Sequence, residues 1–237
     1  MIRNHKTRVV LLPGLHGTHD LFEPLLQHCP PEFDPLVISH PRDRELSYEE
    51  LAGEVRTQIT GYSPMILLGE SYSGPLALRL ASERPEGLVA VVLVGAFVLP
   101  PGPSWARFLP WELIFRMRTP IYVLRALVGG SPEDVAMVVK TAAILKNVSA
   151  SVLATRLRST LTVDARPWLA ACPVPILYLA GAKDYVVRRH CLKSILRHRP
   201  DVVSRTLPTS HFILQLAPAD AWKAITEFLQ GENGQSH

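Results

Sequence analysis

The sequence has few of the residues that build disulfide-bonded or metal-bound domains. Its three cysteines, Cys29, Cys172 and Cys191, stand far apart among 237 residues and form no C-x-x-C pair. A disulfide framework and a zinc site are therefore not expected.

Long apolar runs and a signal sequence are also missing. The longest uncharged apolar stretch, from Leu88 to Leu99, is too short to span a bilayer and indicates a buried strand. Residues 1–8 are mainly polar and lack the apolar centre of a secretory signal. These two observations predict a cytoplasmic protein without an integral membrane segment.

Charge is scattered along the chain. The net charge is +4, but the sequence has no long basic run with interleaved aromatic residues, so nucleic acid is not an expected partner. Apolar residues make up 47% of the chain and charged residues 19%, which is enough apolar material for a large core. The length favours one domain, with room for an insertion. The sequence does not indicate an oligomeric state.

Apolar runs alternate with helical patterns along most of the sequence. The predicted strands are 8–12, 35–38, 65–68, 89–94, 174–179 and 202–207. Helical patterns lie between them, and one is predicted over 20–28 because Asp20 and Glu23 have capping-box spacing. This order predicts an α/β fold, with a mostly parallel central sheet of about six strands and helices on both faces.

The alternation stops at the proline-rich residues 100–103. Residues 104–164 show no clear strand, are rich in Trp, Phe, Leu and Ile, and contain a strong helix start at Ser131-Pro132. We interpret 100–164 as an inserted helical cap, with 1–99 and 165–237 forming the core domain. The alternative is that these residues form ordinary additional core helices.

One short motif points to chemistry. Gly69-Glu70-Ser71-Tyr72-Ser73 follows a buried strand and opens a helix. A serine on such a sharp turn needs small neighbours, a need that Gly69 and Ser73 meet, although the motif usually has a second glycine where Ser73 stands. The turn would expose the serine hydroxyl and place the Tyr72 N–H where a developing oxyanion needs a donor. The alternative is an ordinary helix N-cap.

A nucleophilic serine needs a base and an acid that orients the base. Asp184 and His211 each follow a predicted strand, at the sheet edge where parallel strands bring functional groups together. Other residues compete for these roles. His16 and His19 lie on the turn after the first strand, and His190 and His198 on a helical pattern that favours exposure. Asp164 is an alternative acid, although its position favours helix capping.

Four segments together are similar to the α/β-hydrolase superfamily, in particular to its serine esterases and lipases. They are 12–17, 69–74, 181–184 and 210–212, and the resemblance extends from Arg8 to about Leu229. Few residues precede the first strand, so a sheet shortened at its N-terminal side is expected. The resemblance implies that Ser71 is the nucleophile, His211 the base and Asp184 the orienting acid. It also implies oxyanion donors at the backbone N–H groups of Tyr72 and Leu15, with His16 as the second choice for the latter.

This resemblance implies a serine hydrolase that cleaves carboxylic esters through an acyl-enzyme, without a metal or organic cofactor. The apolar cap predicts small to medium apolar substrates, with His16 and Glu70 as candidate pocket residues; Glu70 could instead be structural or tune the local charge. A thioesterase, a C–C bond hydrolase or a perhydrolase would use the same residues. A non-catalytic ligand-binding member of the fold is the alternative from a different class.

Overall fold

The computed structural model describes residues 6–117 and 131–233. Within these ranges six strands form one sheet in the order β2-β1-β3-β4-β5-β6, and each neighbouring pair is parallel. The strands are β1 (Thr7–Leu12), β2 (Phe33–Val37), β3 (Met65–Glu70), β4 (Leu88–Val94), β5 (Ile176–Gly181) and β6 (Val203–Leu207). The predicted fold class is confirmed.

Helices connect the strands. They are α1 (Glu23–Gln27), α2 (Tyr48–Ile59), α3 (Ser73–Ser82), α4 (Trp111–Arg116), α5 (Pro132–Leu145), α6 (Ala150–Thr160), α7 (Arg166–Ala171), α8 (Arg189–His198), α9 (Ile213–Leu216) and α10 (Pro218–Asn233). A short 3-10 helix, Ser104–Phe108, precedes α4. Capping boxes begin α2 at Ser47 and α5 at Ser131, since each serine hydroxyl accepts the third helical N–H.

The sheet has an apolar core on each face because its central strands are buried on both sides. Alternate residues of β1 point to opposite faces, so Val10 and Leu12 belong to one core and Val9 and Leu11 to the other. Helices α2, α3, α7 and α8 contribute to the first core, and α1, α9 and α10 to the second. The carboxyl ends of the strands remain available for the loops that carry the candidate site.

Between β4 and β5 the described residues form helices and no strand, as the sequence predicts. Helix α4 packs against α6. The division into a core domain and a cap at 100–164 stays a prediction, and part of that range, 118–130, lies outside the described residues. Across the described ranges no single helix is long and apolar enough to cross a membrane; α5 and α6 would meet those criteria only together, across a bend of 119°.

Candidate active site

Ser71 lies on a sharp turn between β3 and α3. Its φ is +50°, a backbone region that residues with a side chain rarely adopt. Gly69 permits this turn, because a Cβ there would lie 2.5 Å from the Ser73 carbonyl oxygen and 2.9 Å from the Ala77 Cβ. The turn presents the Ser71 side chain to a cavity at the edge of the sheet.

Two neighbouring residues share the place of the usual second glycine. A Cβ at Gly74 would overlap the Ala96 Cβ, so the close approach of α3 to the end of β4 requires glycine there. Ser73 is fully buried, and its hydroxyl donates to the Pro13 carbonyl oxygen. His40 Nε2 lies 3.0 Å from the same hydroxyl and therefore donates to it. Ser73 thus connects α3 to the loops that carry Pro13 and His40. The sequence motif indicates only that this residue must be small.

His40 is a neutral member of this network. Burial, with smaller contributions from Arg156 and His16, lowers the pKa of His40 to about 3. With the proton on Nε2 its Nδ1 is an acceptor, and Nδ1 has no hydrogen-bond partner in the part of the chain that the structure describes.

We expect Ser73→Ala to lower stability, because it leaves the Pro13 carbonyl and the His40 N–H buried without partners. The expected loss is about 1–3 kcal/mol in the free energy of unfolding, measured by urea denaturation. Ser82→Ala on the same helix is the control, since within the described ranges the Ser82 hydroxyl bonds only to the Arg79 carbonyl of its own helix. Its expected effect is about 0.5 kcal/mol or less. Equal effects of the two variants would contradict the role given to Ser73.

His211 joins Ser71 and Asp184 in one hydrogen-bonded chain. His211 Nε2 lies 3.0 Å from Ser71 Oγ, and His211 Nδ1 lies 2.8 Å from Asp184 Oδ2. The other Asp184 oxygen accepts the backbone N–H groups of Val186 at 2.9 Å and Val187 at 2.8 Å. Ser71 follows β3, Asp184 follows β5 and His211 follows β6, so the ends of three strands of one parallel sheet supply the three side chains, with β4 between β3 and β5.

Gly95 is part of this arrangement and was not identified from the sequence. It follows β4 with a φ of +50°, and a Cβ there would lie 3.3 Å from Asp184 Oδ2 and from the His211 ring. A larger residue would press on the hydrogen bond between the acid and the histidine. Its only local signal is a glycine at a strand end.

The electrostatic surroundings favour a protonated His211. Burial lowers the pKa of His211, but the charge and hydrogen bond of Asp184 and the charge of Glu70 raise it more, so the pKa lies above its ordinary value. A histidine that acts as a base must be neutral. Activity that depends on His211 as a base is therefore lost as the pH falls through this raised pKa.

The Pro13–Thr18 loop after β1 faces the Ser71 turn. The Gly17 N–H donates to the Gly14 carbonyl at 3.0 Å, which fixes the intervening peptide groups. Buried Arg156, on α6, donates to the Leu15 carbonyl at 2.9 Å and to the Pro41 carbonyl at 2.7 Å. Gly17 has a φ of +70°, and a Cβ there would overlap the Arg156 guanidinium. Arg156 was also missed, because no local pattern connects α6 with this loop.

The two predicted oxyanion donors, the backbone N–H groups of Leu15 and Tyr72, belong to residues that line the same cavity as Ser71. Leu15 belongs to the Pro13–Thr18 loop, and Tyr72 directly precedes α3. Within the described residues, neither backbone N–H donates a hydrogen bond to a protein acceptor. Both N–H groups are therefore free to bind an incoming oxygen.

Glu70 and His16 are buried polar residues that line the cavity. Glu70 Oε2 accepts the Gly14 N–H at 3.3 Å and lies 3.8 Å from His16 Nε2, and Gln215 Nε2 donates to Glu70 Oε1 at 2.8 Å. His16 Nδ1 accepts the Thr18 N–H at 3.1 Å, which leaves the proton on Nε2, towards Glu70. Both residues line the cavity, where they contact each other and neighbouring groups of the protein. Their role in the pocket stays a prediction.

The competing candidates lie elsewhere. His19 is largely exposed beside Asp20, and His190 and His198 are exposed on α8. The Asp164 carboxylate binds the backbone N–H and the guanidinium of Arg166 at the start of α7, which agrees with the capping interpretation.

The cavity that contains Ser71 and His211 is lined mainly by apolar side chains. Its volume is about 240 Å³. The apolar residues that line it include Leu15, Leu21, Phe97, Val138, Leu157 and Phe212. Among the described residues no group of three or more His, Cys, Asp or Glu side chains is arranged to hold a metal ion.

Comparison with known proteins identifies the family. A family model described as serine aminopeptidase, S33, matches residues 47–206, more than half of the chain. The chain belongs to this α/β-hydrolase family. The matched range includes Ser71 and Asp184 and ends before His211, so the geometry described above is what connects His211 to the other two residues. No curated protein matches the sequence significantly.

Solved structures share the α/β-hydrolase fold along nearly the whole chain. A lipase-esterase related protein from Clostridium acetobutylicum has a TM-score of 0.76 at 13% identity, covering 95% of this chain and 96% of that one. The enol-lactonase from Burkholderia xenovorans has a TM-score of 0.75 at 16% identity, with coverages of 95% and 92%. A carboxylesterase from Nitrososphaera gargenis has a TM-score of 0.74 at 13% identity, with coverages of 96% and 91%. Because these identities are low, the likeness shows a shared fold and nothing more specific.

Proposed function

We propose that this α/β-hydrolase cleaves small to medium apolar carboxylic esters through an acyl-enzyme on Ser71. The hydrogen-bonded chain Ser71–His211–Asp184, opening into an apolar cavity, carries the proposal. The cytoplasmic location predicted from the sequence stays part of this proposal.

In the acylation step, Ser71 Oγ attacks the ester carbonyl carbon while His211 Nε2 takes the hydroxyl proton. The carbonyl oxygen becomes an oxyanion, which the N–H groups of Leu15 and Tyr72 stabilise. Asp184 holds the neutral imidazole with its proton on Nδ1 and stabilises the imidazolium that forms. His211 then gives the proton to the leaving alkoxide, and the acyl group stays on Ser71.

Water completes the reaction. His211 Nε2 takes a proton from a water molecule as the water oxygen attacks the acyl carbon. The same N–H donors stabilise the second oxyanion. Collapse of this intermediate releases the carboxylic acid and returns the proton to Ser71 Oγ, so the enzyme ends in its starting state.

The site supports ester cleavage better than removal of an N-terminal amino acid. An aminopeptidase has to bind the charged α-amino group of its substrate, which requires an available carboxylate or other acceptor. Glu70 is the carboxylate among the described residues that line the cavity, but it is buried, and hydrogen bonds from Gly14 and Gln215 direct its two oxygens towards the protein. An uncharged acyl group fits the apolar lining directly.

Three substrates with matched leaving or acyl groups test the proposal: p-nitrophenyl butyrate, leucine p-nitroanilide and butyryl-CoA. We expect kcat/KM to be highest for the ester, by about 100-fold or more, a difference of about 2.7 kcal/mol in transition-state binding. Higher kcat/KM for the anilide or the thioester would replace this function with an aminopeptidase or a thioesterase.

The cavity volume favours a small to medium acyl group. Cavities for drug-sized ligands have about 300–1,000 Å³, so about 240 Å³ suits a smaller group. We further propose that 100–164 acts as a cap, because Val138 on α5 and Leu157 on α6 line the cavity beside Ser71.

We expect Val138→Phe to shorten the preferred acyl chain. Val138 is 2% exposed and lines the cavity, so a larger side chain would occupy substrate space. The ratio of kcat/KM for p-nitrophenyl octanoate to that for the acetate should fall about 10-fold, in line with about 1–3 kcal/mol for small size changes in an apolar pocket. Val139→Phe is the matched control, since Val139 is 49% exposed. An unchanged ratio in Val138→Phe would place the acyl group elsewhere.

A further inference from the structure

Glu70 connects three separate segments of the site, two of them through its carboxylate. Its backbone leads directly into Ser71, the next residue. Its Oε2 accepts the Gly14 N–H of the Pro13–Thr18 loop and lies 3.8 Å from His16 of the same loop. Its Oε1 accepts a hydrogen bond from Gln215, on the helix α9 that follows His211.

We propose that Glu70 is a positioning residue, whose carboxylate fixes the Pro13–Thr18 loop and α9 relative to Ser71. This inference rests on the proposed function. The segments that it joins carry the nucleophile, the Leu15 oxyanion donor and the base.

The position of the Leu15 N–H depends on this contact. Gly14 directly precedes Leu15, so the hydrogen bond from Gly14 to Glu70 fixes the distance between this loop and the Ser71 turn. Oxyanion donors act only when they lie close to hydrogen-bond distance from the charged oxygen, so a small displacement of the loop lowers the rate. A neutral amide at position 70 cannot accept from both donors, because its NH₂ group would face either Gly14 or Gln215.

The charge of Glu70 also reaches His211. Asp184 and Glu70 are the carboxylates that face His211, and His16 and His211 are the titratable groups that face Glu70. Burial raises the pKa of Glu70, but hydrogen bonds and charge from His16, the hydrogen bond from Gln215 and the charge of His211 lower it more, so the pKa lies below its ordinary value. Glu70 is therefore ionised, and its charge raises the pKa of His211.

The test measures inactivation of the full-length protein by a fluorophosphonate between pH 5 and 9. In this reaction Ser71 Oγ forms a bond to phosphorus, the P–F bond breaks, fluoride leaves, and the hydroxyl proton passes to His211. The second-order rate therefore reports the oxyanion donors and the titration of His211 without requiring a known substrate.

We expect Glu70→Gln to lower this rate at pH 8 by about 10- to 100-fold, less than or comparable to removal of an oxyanion donor. The acidic limb of its pH–rate profile should also move to lower pH, because the charge that raises the His211 pKa is gone. Glu70→Asp keeps the charge but shortens the side chain, so its rate should fall while its acidic limb stays in place. Asp134→Asn is the control for loss of a buried carboxylate, since Asp134 caps α5, and its rate and limb should match wild type.

A wild-type rate in Glu70→Gln, or a pH–rate profile with an unmoved acidic limb, would overturn this proposal. If Ser71 is labelled in the wild-type protein, the proposed function would still stand. Absence of labelling in wild type would overturn both. If Glu70→Gln does not fold, Gln215→Met removes one contact and leaves the carboxylate. Its rate should fall about tenfold, corresponding to one hydrogen bond to a charged group, and the acidic limb of its pH–rate profile should stay in place. A wild-type rate would contradict the role of the contact.

Discussion

Replacing Ser71 with alanine is expected to lower kcat for p-nitrophenyl butyrate by about 10⁵- to 10⁶-fold, the range found when the nucleophile of a serine triad is removed. The reason is that no other hydroxyl lies in hydrogen-bond contact with His211 among the described residues. The folded state should be unaffected, because among the described residues the Ser71 hydroxyl makes no hydrogen bond other than the one with His211. Melting temperature and kcat are measured for this variant and for Ser82→Ala, which should retain wild-type activity. More than about 1% residual activity in Ser71→Ala would mean that another group attacks the ester.

Asp184→Asn is expected to lower kcat by about 10⁴-fold with the fold intact. The N–H groups of Val186 and Val187 hold one oxygen of the side chain, so the new NH₂ group must face His211 Nδ1. Nδ1 would then have to accept, which moves the imidazole proton to Nε2, towards Ser71. The histidine could no longer take the serine proton.

The matched control for this prediction is Asp164→Asn. Asp164 was the alternative acid in the sequence, and its carboxylate binds Arg166. Steady-state kinetics with p-nitrophenyl butyrate should show near wild-type kcat for this variant. Loss of activity in Asp164→Asn together with activity in Asp184→Asn would reverse the assignment.

The strands were predictable because a strand buried on both faces is a continuous apolar run, as in Val9–Leu12 and Met65–Leu68. The predicted first and last residues of the strands were less accurate. Strand β2 begins at Phe33 and includes Pro35, whereas the prediction began at Pro35. Since β2 is the edge strand and pairs only with β1 in the described sheet, the missing N–H of Pro35 is tolerated.

The first helix was predicted too long. The prediction began it at Asp20 with a capping box to Glu23, but α1 covers Glu23–Gln27, and its N-cap is Phe22 without a side-chain hydrogen bond. Pro24 occupies the first turn, where proline is favoured, and so fixes the start of the helix. Asp20 lies in the preceding turn.

The positions of Ser71, Asp184 and His211 could be predicted because each follows a strand, and parallel strands bring such positions together. The supporting contacts could not. Glu70 meets Gln215 across 145 residues, and Arg156 meets Leu15 across 141. No local pattern specifies such pairs, since they depend on how α6 and α9 pack over the sheet.

The most direct test of the central claim is to locate the covalent adduct of a fluorophosphonate by mass spectrometry of the digested protein. The account predicts one adduct, on the peptide that contains Ser71, and none in Ser71→Ala. An adduct on a different residue, or ester hydrolysis by a protein that the reagent does not modify, would contradict an acyl-enzyme on Ser71.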